Sequence, residues 1–206
     1  MATPIKIALT HVRCLEETDE GGSASDEIYV LVTAVNLKSA VPQVEVTKYG
    51  PWGSVDEGEL KSTMPIQPGV NPDTLPSIIW RRPCWGLNGQ AAVINHPDDV
   101  ILMVSVMEHD DGNTGAARTI VKSAATATMA SSMGMSRADR VTKLRRDING
   151  ALELPTGAPN FDDRVGTKEL RLSADLLQVE NGAKEKKIEF AGDGGQYRVR
   201  FELRKG

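Results

Sequence analysis

The sequence of 206 residues is poor in cysteine, in aromatic residues and in long hydrophobic runs. Its two cysteines, Cys14 and Cys84, are too few for a disulfide framework, and no Asn-x-Ser/Thr sequon occurs. The longest runs without Asp, Glu, Lys or Arg, 83–97 and 123–136, are shorter than the roughly 20 apolar residues that a membrane-spanning helix needs. The N-terminal residues lack the apolar stretch and cleavage site of a signal peptide. We therefore expect a cytoplasmic protein without a transmembrane segment.

Charge and motif content argue against nucleic acid as a partner and against catalysis. The net charge is −4, and the three Trp, three Tyr and three Phe are not interleaved with basic residues. No Gly-x-Ser-x-Gly elbow, Walker loop, Rossmann fingerprint or EF-hand spacing occurs. The histidines, His11, His96 and His109, lack the spacing of zinc ligands. These observations favour a binding protein over an enzyme.

The hydrophobic pattern predicts a mainly β fold. With 40% hydrophobic and 25% charged residues, residues 1–206 suit one domain whose core needs no disulfide or metal. Turn residues separate the alternating segments, and Gly192-Asp193-Gly194-Gly195 is typical of a hairpin connection. Period-two alternation predicts strands over 5–14, 28–36, 44–49, 100–107, 169–172, 187–190 and 197–203. Such spacing favours an antiparallel sandwich.

Residues 114–152 interrupt the alternation with Ala, Ser, Met and basic residues, which indicates helix. The first helix should cover roughly 116–133, and Gly134 supplies a turn. Ser136 is a suitable N-cap for the second helix, with Asp139 three residues later. Four apolar side chains then recur at helical spacing: Val141, Leu144, Ile148 and Leu152. We predict a helical hairpin within an insertion over 114–159.

The hairpin is basic, whereas the remainder of the chain is acidic. Between residues 114 and 152 the net charge is +5, which leaves −9 elsewhere. A basic amphipathic hairpin can bind anionic lipid, each cation contributing on the order of 1 kcal/mol at an acidic membrane surface. It can equally pack its apolar face on the sandwich and neutralise acidic loops with its cations. The candidate lipid- or partner-binding residues are Arg118, Lys122, Arg137, Arg140, Lys143, Arg145 and Arg146.

Acidic residues concentrate in three segments, 16–26, 108–111 and 162–163, each just outside a predicted strand. Each segment alone suits a solvated turn. If the segments met, their carboxylates would repel one another, and a hard cation bound through oxygen atoms would reverse that repulsion. His109 alternates with Glu108 and Asp110, so we expect it to point away from them, toward solvent.

These acidic segments lie within a series of motifs that resembles the C2 domain family. The run SASDEIYV at 23–30 follows an aspartate and a glycine turn, as in the family's first calcium loop. The run VSVMEHD at 104–110 resembles the strand that opens the third loop, and FDDRVG at 161–166 resembles the segment that closes it. The run GQYRVRF at 195–201 is similar to the final strand, so the order of the motifs agrees throughout.

The resemblance implies an eight-stranded antiparallel sandwich that binds Ca²⁺ between loops at one end and docks on phospholipid. Carried over by position, the metal ligands would be Asp19, Asp26, Glu108, Asp110 and Asp163. The helical insertion would then lie in the third calcium loop, at the end of the sandwich where the family meets membranes.

We therefore predict a calcium-dependent module, cytoplasmic or peripheral to a membrane, that docks on an anionic membrane or a protein partner. The alternative is a metal-free scaffold of the same fold, whose hairpin binds a protein or mediates oligomerisation. A cation from the hairpin between the acidic loops would favour the alternative, because it would leave no need for calcium.

Overall fold

Two antiparallel sheets and a helical hairpin make up the described part of the chain. The computed structural model describes residues 4–17, 26–39, 43–62, 83–85, 92–110, 113–154, 162–179 and 182–206. The strands are β1 (Pro4–Glu16), β2 (Asp26–Asn36), β3 (Gln43–Val55), β4 (Leu60–Ser62), β5 (Ala92–Val93), β6 (Val100–Glu108), β7 (Arg164–Glu169), β8 (Ala183–Gly192) and β9 (Gly195–Lys205). The helices are α1 (Thr114–Ser131), α2 (Arg137–Leu152) and the single turn α3 (Ala174–Leu177).

The sheets form a sandwich around one apolar core. One sheet has the order β4-β1-β9-β8, with β5 also paired to β1, and the other has the order β3-β2-β6-β7. Inward side chains such as Ile7, Val32, Val104 and Phe201 fill the space between them. The predicted mainly β sandwich is confirmed. The described residues contain nine strands rather than eight, because the two-residue β5 adds a short pairing to β1.

The second sheet is buried on both faces. All nine residues of β6 are buried, whereas a strand with one solvated face would alternate. The outward side chains of β2 and β6 join the apolar stripes of both helices in a second core. This core contains Tyr29, Leu31, Val35, Ile101, Met103 and Met107 from the sheet, and Ala117, Val121, Ala125, Met129, Val141, Leu144, Ile148 and Leu152 from the helices. The hairpin is therefore a third layer of the domain.

The hairpin lies along the sheet rather than beyond its end. Of the two placements that the sequence left open, this is packing on the sandwich and not projection from its loop end. Both helices connect to the sheet at the end of β6, but the turn between them lies at the opposite end. There, Arg137 at the start of α2 donates to the carbonyl oxygen of Val100, the first residue of β6, at 2.9 Å. Burial of the apolar stripes explains this arrangement, since an extended hairpin would expose them to water.

Local sequence signals set the helix boundaries. The Asn113 side chain accepts from the amides of Gly115 and Ala116, and Ser136 Oγ accepts from the amide of Asp139. Gly134 has φ +90°, a left-handed conformation that glycine adopts without a steric penalty. The predicted N-cap and turn of the hairpin are thus confirmed.

The strand predicted at 169–172 was misplaced. The alternation at 169–172 predicted a strand there, but β7 covers Arg164–Glu169. Leu170 and Leu172 do belong to the main core, although both lie beyond the last residue of β7. The alternation therefore predicted the burial of Leu170 and Leu172 correctly, but it predicted the position of the strand incorrectly.

The two sheets approach each other closely where β7 faces β8. A Cβ atom added to Gly192 would overlap the carbonyl oxygen of Val165. We expect Gly192→Ala to lower the free energy of unfolding by roughly 1–3 kcal/mol, because the backbone at this edge must shift. Gly150→Ala is the control: no atom lies within 4 Å of its added Cβ, and alanine favours helix. Urea denaturation measures both, and equal stability of the two variants would contradict the prediction.

Candidate metal centre

Three carboxylates converge where β6 ends and β7 begins. Glu108 is the last residue of β6, Asp110 follows two residues later, and Asp163 immediately precedes β7. Each offers a carboxylate oxygen, and the three oxygens lie within 4.8 Å of one another. The antiparallel pairing of β6 with β7 causes this convergence, since the end of one strand lies beside the start of the next. The amide of Glu108 donates to the carbonyl oxygen of Asp163 at 2.8 Å and closes the pairing.

His109 and Asp162, which adjoin the ligand candidates in the chain, point the other way. They are hydrogen-bonded to each other, and Tyr29 is bonded to the same carboxylate. His109 Nδ1 lies 2.9 Å from Oδ1 of Asp162, and the Tyr29 hydroxyl donates to Oδ2 of Asp162 at 2.7 Å. The Tyr29 and His109 rings meet edge to face, with centroids 6.1 Å apart. His109 thus points away from Glu108 and Asp110, as expected. It is not turned toward solvent, because its side chain is 16% exposed and hydrogen-bonded.

The polar groups of Tyr29, His109 and Asp162 are well suited to burial. The Asp162 side chain is 3% exposed, and its carboxylate accepts from two neighbours that offset the loss of hydration. Burial and the adjacent Asp162 carboxylate raise the pKa of Tyr29 well above its usual value. The phenol consequently remains a donor at any physiological pH.

The three converging carboxylates fit a hard cation. At 4.8 Å, two carboxylates repel by about 3 kcal/mol at an effective dielectric constant near 20. A divalent cation among them converts this repulsion into attraction. Ca²⁺ takes six to eight oxygen ligands in irregular geometry, and carboxylates from separate segments can supply several of them. The donor set contains no sulfur or imidazole nitrogen of the kind that zinc prefers.

Of the two ligand candidates in the first loop, the structure describes only the backbone of Asp26. Asp19 lies outside the described residues. Asp26 begins β2, two residues before Ile28, which pairs with Glu108. The β2 backbone therefore brings Asp26 to the same end of the sandwich as the three converging carboxylates.

Three of the seven basic side chains of the hairpin contact acidic partners on the sandwich. Arg118 and Lys122 each lie 2.8 Å from the Glu45 carboxylate on β3. Burial alone would raise the pKa of the Glu45 carboxyl, but these two ion pairs outweigh it and lower the pKa below its usual value. Arg137 is turned inward and lies 2.5 Å from Glu169. These partners lie along the faces and the far end of the second sheet, outside the set of Glu108, Asp110 and Asp163.

Within α2 the cations have local partners. Lys143 and Arg146 pair with Asp147, and Arg140 Nε donates to the carbonyl oxygen of Ser132. Arg145 is exposed, and the Arg146 side chain is 73% exposed despite its contact with Asp147. Arg145 and Arg146 are therefore the most accessible of the seven candidate lipid- or partner-binding residues.

Sequence reasoning overlooked Tyr29 and Asp162. Of the acidic pair at 162–163 only Asp163 was a ligand candidate, and the alternation of side chains predicts no more than that the two face opposite ways. The sequence contains no sign that Tyr29 would lie beneath Asp162, because that contact spans 133 positions in the chain.

Cys84 does not have the surroundings of an activated nucleophile. Cys84 is buried, and burial raises the pKa of its thiol to about 12, which disfavours a thiolate nucleophile. Its Sγ lies 3.3 Å from the carbonyl oxygen of Ile7.

Among the described residues, no helix is long and apolar enough to cross a membrane.

Comparison with known proteins yields one distant structural match. No protein-family model matches the chain, and no curated protein matches it. Among solved structures, the C2A domain of a plant extended synaptotagmin 1 matches 100% of this chain and 98% of that domain. The sequence identity is 10% and the TM-score is 0.37. A likeness this distant carries no argument, so the fold rests on the observed strand pairing and the function on the side chains.

The hydrogen bonds of Asp147 generate a prediction about pH. Its carboxylate accepts from Thr128, Lys143 and Arg146, and these bonds outweigh burial and lower its pKa from 3.8 to about 2. A lowered pKa adds stability above the unfolded value near 3.8, and this stability disappears as the pH falls through about 2. We expect Asp147→Asn to cost roughly 1–2 kcal/mol at pH 6, with the difference from the wild type vanishing near pH 2. Urea denaturation across this range measures it, and a difference independent of pH would contradict the prediction.

Proposed function

We propose that this protein is a binding module that takes up a divalent cation, with Ca²⁺ as the preferred ion, at Glu108, Asp110 and Asp163. The observation that carries the proposal is the approach of three carboxylates from two strand ends to within 4.8 Å of one another. The contacts of Arg118, Lys122 and Arg137 with other acids also support it, because those cations are engaged elsewhere.

Calcium is a better candidate than magnesium for this site. The cluster mixes a buried Glu108 with two half-buried aspartates, and the ligand segments are a strand end and the residues beside it. Ca²⁺ tolerates such irregular sets, whereas Mg²⁺ demands near-octahedral geometry and keeps several waters. Asp26, at the same end of the sandwich, is the candidate for a further ligand, together with Asp19 from the preceding segment.

The first test is calorimetric titration of chelator-treated protein with Ca²⁺, with Mg²⁺ for comparison. We expect saturable Ca²⁺ binding that Asp110→Asn weakens about tenfold or more, since one charged ligand is lost. Asp139→Asn is the matched control, because it makes the same change at the far end of the sheet, where α2 begins. Equal weakening in both variants would indicate a general charge effect, and absence of Ca²⁺ binding would refute the site.

A second proposal concerns anionic membranes. Arg145 and Arg146 are adjacent and exposed on α2, whereas the apolar stripe of the hairpin is buried against the sheet. Membrane contact through the hairpin would therefore depend on charge rather than on insertion of apolar side chains. Each exposed cation contributes on the order of 1 kcal/mol near an acidic membrane surface, and salt screens that attraction.

This proposal predicts weak, salt-sensitive binding to vesicles that contain phosphatidylserine and none to neutral phosphatidylcholine vesicles. Replacing Arg145 and Arg146 together by Glu should abolish co-sedimentation at low salt. Replacing Arg137 by Gln should have little effect on vesicle binding, because that side chain is turned inward. Unchanged sedimentation of the double variant would exclude the hairpin as the lipid contact.

The competing function is a metal-free scaffold that uses the same hairpin for a protein partner or for self-association. It differs from the proposal in one measurable respect. A scaffold would show neither heat nor thermal stabilisation at millimolar Ca²⁺, whereas a cation site stabilises the folded state more as the Ca²⁺ concentration rises above the dissociation constant.

A further inference from the structure

Tyr29, Asp162 and His109 form a hydrogen-bonded unit beside the converging carboxylates, and none of the three was a ligand candidate. Tyr29 is fully buried on β2, Asp162 is buried just before β7, and His109 lies just beyond β6. The two hydrogen bonds, 2.7 Å from Tyr29 and 2.9 Å from His109, meet on one carboxylate. The unit thus joins three segments that are distant in the chain.

The hydrogen-bonded unit affects the direction of the neighbouring carboxylates, because successive side chains of an extended segment point to opposite sides. His109 separates Glu108 from Asp110, so a His109 side chain held toward Asp162 turns both flanking carboxylates to the opposite side. Asp162 likewise precedes Asp163, and when it is held inward its neighbour faces outward. One set of hydrogen bonds therefore lies beside all three ligand candidates, where it can set their direction.

The backbone reinforces the same geometry. The amide of His109 donates to the carbonyl oxygen of Glu27 at 2.6 Å, and the amide of Glu108 donates to that of Asp163 at 2.8 Å. Tyr29 and Asp162 also share a small cavity lined by Ala151, Leu152 and Leu154. The end of α2 therefore packs against the hydrogen-bonded unit and shields it from water.

We infer that Tyr29, Asp162 and His109 are positioning residues, which orient Glu108, Asp110 and Asp163 toward a common cation without binding it. The consequence for cation affinity rests on the proposed function; the orientation of the backbone does not. Groups that orient metal ligands typically change metal affinity 10- to 100-fold when they are removed.

The test compares Tyr29→Phe with Thr128→Val. Phenylalanine keeps the buried ring and removes only the hydroxyl that binds Asp162. Thr128→Val removes another hydroxyl bonded to a carboxylate, that of Asp147 in the hairpin, away from the three ligand candidates. Calorimetric titration with Ca²⁺ should show a dissociation constant about 10-fold or more higher in Tyr29→Phe and unchanged in Thr128→Val. Amide hydrogen exchange at Glu108 and His109 should be faster only in Tyr29→Phe.

A second pair of variants separates positioning from ligation. Asp162→Asn keeps an acceptor for Tyr29 and can donate to the other tautomer of His109, so its calcium affinity should stay within about threefold of the wild type. Asp163→Asn makes the same change one residue later and should lose about tenfold or more. Loss in Asp162→Asn as large as that in Asp163→Asn would overturn the positioning role.

The outcomes for the two proposals are distinguishable. If the wild type binds no Ca²⁺, the proposed function fails, and amide exchange alone decides the present inference. Faster exchange at Glu108 and His109 in Tyr29→Phe would then support the orienting unit. Exchange and affinity in Tyr29→Phe equal to those in Thr128→Val would overturn the inference.

Discussion

Burial of β6 on both faces is the constraint on which the rest of the structure depends. One face of this strand needs the opposing sheet and the other needs a further apolar layer, since nine consecutive buried residues leave no solvated side. The hairpin supplies that layer with small and medium side chains such as Ala117, Ala125 and Leu144. The two helices between β6 and β7 therefore form part of the core.

The same strand determines where the acidic residues meet. β6 lies between β2 and β7, so its end brings Glu108 beside residues that precede β7 and beside the start of β2. Burial of Asp162 between Tyr29 and His109 leaves Asp163, Glu108 and Asp110 to converge on the other side. The carboxylates stay close despite their repulsion because strand pairing and these hydrogen bonds hold the backbone. Oxygen atoms of three carboxylates within 4.8 Å of one another are a donor set that a hard cation prefers, which is the physical basis of the proposed function.

Much of the fold could be predicted from local patterns in the sequence. The strands predicted at 5–14, 28–36, 100–107 and 197–203 correspond to β1, β2, β6 and β9, and the Ser136 cap and Gly134 turn located the hairpin. The alternation failed at 169–172, where Leu170 and Leu172 fill the core outside any strand. The sequence could not decide between packing of the hairpin on the sandwich and contact with lipid, because an amphipathic stripe does not specify which apolar surface covers it. For the candidate site, the acidic residues were visible in the sequence, whereas the Tyr29–Asp162 contact depends on the three-dimensional fold.

The most direct test of a single cation site built from two strand ends is a calcium titration followed by ¹H–¹⁵N NMR. We expect saturable shifts, with one dissociation constant, at the amides of Glu108, His109 and Asp110 and of Asp162 and Asp163. The amides around Asp98 and Asp139, at the far end of the sheet, should remain unchanged. Shifts spread over exposed acids without saturation, or no shifts at millimolar Ca²⁺, would refute a cation site at these strand ends.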